Sequence, residues 1–512
     1  MENQNTDNKR IVKNTIMLYI RMVLLMLVNL YTSRVLLRIL GVDDYGLYAI
    51  VGSLVIFLGF INGAMTASSQ RFLSFYQGKG DFEELSSTFN SVLVVQFFIS
   101  LLILVIGEVV GVIYIQHFLN VAPEKLKVAH IVYQFSLLSF VIKTLSVPYT
   151  ASIISNERMN VFALLSILET SLQLVVVIIL QTIIDNRLIM YAFMMFMSVV
   201  IVQFGYRIYS IRCFKECEFR KNWQRKTIKD IFSYSGWNLI GMLSSVAIDE
   251  GTNIILNFFF GVVVNAARAI AYQVSNAIGS LSGNFQQALN PQIVKTYSSG
   301  ELDKMYQLIM KGSRFCFYLL LILSMPVIFN MRPLLELWLG SVPDYTESFC
   351  KLILVNTLIC AFPCSLVMGA MATGHIMKYQ IVIALINMLN ILSSIIILSF
   401  YRNPLVTAYV MIVIDIISCM TKFVLASRII NLSLSLFVQQ SVLPAVFTVF
   451  IAVIGINIIN IGVGDNCVWM LIFRLFVFFI VTVLSVIAFG VTQEERLWLW
   501  SFIKRKYNNK FI

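Results

Sequence analysis

The sequence predicts an all-α polytopic membrane protein: about fourteen transmembrane helices, in two pseudo-symmetric six-helix lobes plus two C-terminal helices. Three observations lead there. Hydrophobic residues make up 59% of the 512 and charged residues only 12%, about half the charge of an average soluble domain, so polar side chains cannot cover a globule of this size. Apolar stretches of span length recur from end to end. And the first part of the chain repeats in the second. The mean hydropathy is +0.84. With 39 Phe and 21 Tyr, a disordered chain would collapse.

Spans are expected near 14–37, 46–72, 86–115, 128–154, 160–184, 187–211, 231–258, 264–292, 308–330, 346–372, 376–400, 404–427, 437–460 and 468–490, each about 20 residues or longer. Two are too polar for lipid on every face: 46–72 carries four Gly, and 264–292 is rich in Gln, Asn and Ser. Such helices suit a protein interior or a water-filled cavity. The stretch Met1 to Lys13 is polar, basic and without a small-residue cleavage site, which reads as an anchor rather than a removed signal peptide. No water-exposed stretch is long enough for a separate catalytic module.

Placing the N-terminus in the cytoplasm puts 26 Lys and Arg in cytoplasmic segments and 7 in external ones. The positive-inside rule therefore predicts both termini in the cytoplasm. This bias accounts for the net charge of +12 without nucleic-acid binding. The expected domains are an N-terminal lobe (1–212), a basic linker (213–230), a C-terminal lobe (231–430), then spans 13 and 14 with an amphipathic basic tail (431–512). Around the linker the run Arg212, Lys215, Arg220, Lys221, Arg225, Lys226 and Lys229 should lie on the anionic inner leaflet. In the tail, Trp498, Trp500 and Phe502 precede Lys504, Arg505 and Lys506, which suits an interfacial helix.

A shift of 220 residues places Gly41 on Gly261, Gly59 on Gly279, Gly63 on Gly283 and Gly80 on Gly300. It maps the first span onto the seventh and the second onto the eighth, in the same direction. Parallel halves of this kind enclose a central substrate path and alternate access by rocking. The eight Cys form no metal-ligand array with the three His, and the plain reading is free, mostly buried thiols. No phosphate-binding loop, Ser-His-Asp arrangement or ATPase engine is present, and no cofactor is implied.

Charges inside spans are costly, at least about 2.5–3.5 kcal/mol each, and mark function by default. Arg21 and Arg34 lie in span 1, Lys143 in span 4, Arg268 at the start of span 8 and Arg71 at the end of span 2. Asn29, Asn62, Gln273, Asn276, Asn284 and Gln287 add hydrogen-bonding groups, the last four at helical spacing. Together they predict a cationic cavity between the lobes. Guanidinium groups bind phosphate by paired, charge-assisted hydrogen bonds, and amides suit sugar hydroxyls. Snorkelling to the interface is the plainer alternative, above all for Arg34 and Arg71. Asp249, Glu250 and Asp415 could carry a coupling H⁺ or Na⁺, or neutralise the cationic groups.

Several stretches resemble a known family: "LYTSRVLLRILGVDDYGLYAIVGSL" (30–54), "NGAMTASSQRFLSFYQGKGD" (62–81), "VPYTASIISNERMNVFALLSILE" (147–169), "SGWNLIGML" (235–243), "LNFFFGVVVNAARAIAYQVSNAIGSLSGNFQQALNPQIVKTYSSGE" (256–301) and "LLELWLGSVPDY" (334–345). They are similar to the polysaccharide-export flippases, in the superfamily that also holds multidrug and toxin extrusion proteins and lipid II flippases. The bacterial lipopolysaccharide and O-antigen branch is the most similar. The resemblance covers most of the chain and is densest over spans 1–5 and 7–8.

The resemblance implies movement of undecaprenyl-diphosphate-linked oligosaccharide across the bacterial cytoplasmic membrane by two alternating lobes, not an enzyme reaction. Spans 13 and 14 would form a groove for the lipid tail. The implied partners are the lipid-linked oligosaccharide, membrane lipid, and a polysaccharide polymerase with its chain-length machinery. Arg21 and Arg268 match the family's usual cation positions, Arg71 and Lys143 less closely. Asp249 and Glu250 depart from the pattern, where an amide or basic residue is expected. Two alternatives stand beside this reading: a drug or cation antiporter of the same superfamily, and a membrane glycosyltransferase of the O-antigen polymerase type. The antiporter wants a more acidic cavity. The glycosyltransferase wants a larger external loop than Met331 to Phe349 offers.

Overall fold

The computed structural model describes residues 2–57, 59–117, 123–260, 262–340, 342–460, 468–493, 495 and 496. Among them the regular structure is helical throughout. The expected interfacial tail, and Cys467, lie outside the described residues.

The chain opens with α1 (Glu2–Phe57), broken at Gly41, whose φ of 76° and ψ of 174° leave the helical region. Glycine carries no Cβ and takes this conformation without strain. Next comes α2 (Gly59–Lys79). Gly80, at φ +71°, stops it in the left-handed conformation that glycine favours at a helix end. Asp81 then caps α3 (Phe82–His117), its carboxylate accepting from the Glu84 amide at 3.1 Å. An aspartate there satisfies an orphan N–H and complements the helix dipole. The chain continues through α4 (Pro123–Leu145), α5 (Val147–Ser155), α6 (Met159–Leu180) and α7 (Arg187–Cys213). A 3-10 turn at Lys215–Cys217 leads to α8 (Arg225–Phe260) and α9 (Val262–Ser298).

There follow α10 (Leu302–Phe329), α11 (Met331–Leu339), α12 (Thr346–Ala361), α13 (Cys364–Thr373), α14 (Met377–Phe400), α15 (Val406–Ile430), α16 (Leu434–Phe437), α17 (Leu443–Asn460) and α18 (Val468–Ser485). Helix α3 starts at Phe82 and α10 at Leu302, 220 residues apart. Each follows a positive-φ glycine, Gly80 at +71° and Gly300 at +78°.

Ten described helices are long and apolar enough to cross a membrane, and the pair α12 and α13, bent by 43°, makes an eleventh. Helices α1, α2 and α9 are not among them. They carry the first, second and eighth of the fourteen expected spans, and two of these three were marked as polar from sequence. For α2 and α9 the physical reason is composition, since both spend their length on Gly, Ser, Asn and Gln. The protein is a multi-pass membrane protein. Outward-facing Phe400 is 88% exposed and Phe258 83%, which water would not tolerate over so many helices but lipid does.

The described chain packs as two compact units. The first comprises Met1–Leu243 with Gln287–Glu301, the second Ser244–Gln286 with Leu302–Ile512. Helices α8 and α9 thus contribute to both. In the first unit α1 packs on α6, α3 on α4, α4 on α7 and α2 on α5. One of its core clusters joins Leu73, Phe89, Ile153, Val202 and Tyr206 to Phe214 and Cys217. Helices α3 and α4 approach closely through two glycines. Tyr133 lies against Gly111 and donates its hydroxyl to the Gly107 carbonyl at 2.6 Å. In the second unit α15 packs on α12, α13 and α14, and α10 on α12, α13 and α18. One of its cores gathers Ile255, Leu398, Val406, Val410 and Ile414.

Candidate functional site

Each unit holds its own set of charged groups on its helices. In the second unit the set is built from two helix faces. Asp249 and Asn253 are four residues apart on α8, Arg268 and Tyr272 four apart on α9, so each pair shares a face. Arg268 is 5% exposed. It donates to the Asp249 carbonyl at 3.2 Å, to the Asn253 side chain, and to the Tyr272 hydroxyl at 3.1 Å. Its guanidinium also stacks over the Tyr272 ring at 4.5 Å. The Tyr272 hydroxyl donates to Asp249 at 3.0 Å. The direct carboxylate contact from Arg268 to Asp249 is long, 3.7 Å, and the Asp249 side chain is 53% exposed.

Glu250 accepts from Asn253 at 3.3 Å, and Asp415 on α15 accepts from Asn356 on α12 at 2.7 Å. The set therefore carries three carboxyl groups to one guanidinium. A small open pocket lies beside Arg268, lined by Thr252, Ile353, Thr407 and Met411 among others.

In the first unit the set is cationic. Lys143 on α4 pairs with Glu169 on α6 at 2.8 Å. Arg21 on α1 lies 4.7 Å over the Phe162 ring, within electrostatic reach of Glu169 and Tyr206. Its Nε has no hydrogen-bond partner among the described residues. Tyr206 is braced by Ser166 at 3.3 Å. Two cations thus share one carboxylate.

Arg71 belongs to the first unit. It is 6% exposed and sits among the rings of Phe72, Phe75 and Tyr234, at 4.7, 4.9 and 5.4 Å. The Arg34 side chain lies outside the described residues. Asn29 is exposed and Asn62 half-buried. On α9, Gln273 and Asn276 are exposed and Asn284 and Gln287 half-buried, while Ser275, Ile278 and Ser282 are buried on the opposite side. The polar stripe thus points away from the core of its helix packing. Among the described residues, no group of three or more His, Cys, Asp or Glu is placed to hold a metal ion.

Sequence reasoning missed Asn253, Tyr272, Phe162 and Tyr206. For the first two a signal existed, the four-residue spacing from Asp249 and from Arg268. It also passed over Glu157 and Lys295. In the first unit Glu157, buried at φ 57°, accepts from Lys295 at 2.8 Å and from Gln292 at 3.1 Å.

A family model described as polysaccharide biosynthesis protein matches residues 11–297, more than half the chain. The chain belongs to that family. The matched segment contains Arg21, Arg71, Lys143, Asp249 and Arg268, but not Asp415. Among curated proteins, none matches the chain.

Solved structures add the fold. An outward-facing multidrug resistance MATE family transporter of the MOP superfamily aligns at a TM-score of 0.72 with 14% identity, over 83% of this chain and 97% of that one. A MATE protein in the straight conformation gives 0.72 and 14%, over 84% and 97%. A MOP superfamily transporter from Pyrococcus furiosus gives 0.70 and 13%, over 84% and 97%. This member of the polysaccharide biosynthesis family therefore has a MATE-type transporter fold, and its solved neighbours are transporters rather than enzymes.

Proposed function

We propose that the protein flips undecaprenyl-diphosphate-linked oligosaccharide across the bacterial cytoplasmic membrane by alternating access, with both termini in the cytoplasm. Family membership and transporter fold support the class. The observation that carries the cargo is the cationic set of the first unit. Among the described residues, Arg21 and Lys143 lie beside the one carboxylate of Glu169, and the buried Arg21 Nε has no hydrogen-bond partner there. A pyrophosphate offers several acceptors and two or more negative charges, and the guanidinium binds it by charge-assisted hydrogen bonds. Arg268 adds to this differently. Its contact with Asp249 is long and half-exposed, so a phosphate can take the place of Asp249 while Asn253 and Tyr272 keep the guanidinium oriented. The positive-φ glycines and helix starts recurring at 220 residues support paired halves of common topology, the arrangement that alternating access uses.

One observation favours a second reading, a cation antiporter: the acidic balance of the second unit. For the Pyrococcus furiosus neighbour, reversed polarity of the binding pocket is reported to suggest a different function. Charge is thus the property to weigh within this fold. In the flippase reading the acids of the second unit hold a coupling H⁺ or Na⁺ instead.

The test is leaflet transfer of fluorescent undecaprenyl-diphosphate-oligosaccharide in proteoliposomes. A hydrogen bond to a charged group contributes about 1.5–3 kcal/mol. Arg21→Ala should therefore slow transfer by about tenfold to a hundredfold, and Arg21→Lys by less. Absence of transfer by the folded wild type, with efflux of organic cations down a proton gradient, would replace this reading by the antiporter.

A further inference from the structure

The segment joining α7 to α8 is not a slack connection. Phe214 and Cys217 are 8% and 1% exposed and belong to the first unit's core. Beyond them the backbone is fastened to the first turns of α3. The Asn90 side chain accepts from the Arg220 amide at 3.0 Å, Ser91 accepts from the Gln224 amide at 3.3 Å, and Ser87 donates to the Asn222 carbonyl at 2.9 Å. These three side chains occupy one face of α3, so the segment is held in a fixed orientation.

What it presents outward is mostly cationic, with Glu218 and Asp230 as exposed acids. Arg212, Lys215, Arg220, Lys221, Arg225, Lys226 and Lys229 are all exposed. The acid Glu216 is turned inward, 7% exposed, and accepts from Asn156 at 3.0 Å. Glu218 neutralises only Arg220, at 2.8 Å. Between the cations stand two large apolar side chains that the core does not use, Phe219 at 69% exposure and Trp223 at 45%. Arg225, Lys226 and Lys229 open α8, whose first turn holds no acid. Cations there oppose the helix dipole, so helix stability is not the reason for them.

We infer that this segment is a preformed docking surface for anionic phospholipid headgroups, with Phe219 and Trp223 entering the interfacial layer. The occupant follows from continuity and charge. Helices α7 and α8 are both long and apolar enough to span the membrane, so the short connection between Cys213 and Arg225 joins two spans on one side of the bilayer. Aromatic rings prefer that layer, and each Lys or Arg at an anionic surface gains by electrostatic attraction. The inference does not depend on the cargo and stands whichever transport reading holds.

The experiment uses the full chain in phosphatidylcholine vesicles, with a fluorophore on Cys213, exposed at the end of α7. Quenching by spin-labelled phosphatidylglycerol is compared with quenching by spin-labelled phosphatidylcholine. Wild type should prefer the anionic lipid several-fold. Removing the cations should lower the preference stepwise, and the combined Arg220→Gln, Lys221→Gln, Arg225→Gln and Lys226→Gln variant should bring the ratio close to one. A second variant, Phe219→Ser with Trp223→Ser, should weaken quenching by both lipids and keep their ratio. A wild-type ratio near one overturns the inference. So does an unchanged ratio in the fourfold variant, which would leave the surface to an acidic protein partner. Loss of the preference on adding inorganic phosphate at constant ionic strength would also overturn it, in favour of a free-anion site.

Discussion

Glu157 shows how much one residue can hold. It takes a left-handed φ of 57° that a residue with a Cβ rarely adopts. Its carbonyl accepts from Asn14 at 3.2 Å, and its carboxylate accepts from Lys295 and Gln292. The carboxylate is 4% exposed and the Lys295 side chain 20%. Removing one partner of a buried pair strands a charge, at about 3–5 kcal/mol. Lys295→Met should therefore lower thermal stability sharply, and Lys295→Met with Glu157→Gln should recover much of the loss. A double variant no better than the single would show that the pair is not coupled. Two cysteines make a further contrast. Cys217 is buried against the Ser152 hydroxyl at 3.3 Å, and burial pushes its thiol up to about 12. The thiolate is the reactive form, so raising the pH from 7 to 9 leaves Cys217 protonated. Maleimide should label exposed Cys213 in the folded protein and reach Cys217 only after denaturation, read by mass spectrometry of the peptides.

At the scale of elements, glycines decide which helices meet. A Cβ at Gly78 on α2 would fall 1.9 Å from the Ser298 Oγ and 2.6 Å from the Lys295 carbonyl oxygen at the end of α9. Backbone cannot yield as a side chain can, so Gly78→Ala should cost about 1–3 kcal/mol, the usual range for overpacking. Gly236, inside α8, has nothing within 4 Å of the same position. Gly236→Ala should stabilise by about 0.4–1 kcal/mol through the unfolded chain. Thermal shifts of opposite sign in the two variants would check both statements at once. The end of α18 is fastened in another way. Arg314 on α10 pairs with Glu495 at 2.7 Å, with side chains 7% and 11% exposed, and Tyr318 donates to the Gly490 carbonyl at 2.9 Å. The chain beyond the last span is thereby tied back onto α10.

For the whole molecule, orientation is the property still to be measured. With both termini in the cytoplasm, Cys213 faces the cytoplasm and Asp344, between α11 and α12, faces outward. A membrane-impermeant maleimide should spare Cys213 in intact cells and label it in inverted membrane vesicles. Asp344→Cys should show the reverse pattern. Labelling of Cys213 in intact cells would invert the topology and, with it, the side on which cargo enters.

The sequence by itself determined the membrane class, the all-helical architecture and the family, because each is written in local properties: apolar length, charge poverty and family stretches such as 256–301. It also marked α2 and α9 as unlike ordinary spans, since a helix rich in Gly, Asn and Gln is visible without its neighbours. Helical periodicity told which residues share a face, and so could have joined Asn253 to Asp249 or Tyr272 to Arg268. It could not tell which faces meet. Lys143 with Glu169, Glu157 with Lys295, and Arg314 with Glu495 are partners far apart along the chain. Only the packing of helices brings them within reach, so only the tertiary structure decided that Arg21 and Lys143 stand beside one carboxylate, Glu169. The same holds for Phe219, Trp223 and Glu216. Composition gave a basic run, but the turn between α7 and α8 chose which side chains it buried and which it left facing out.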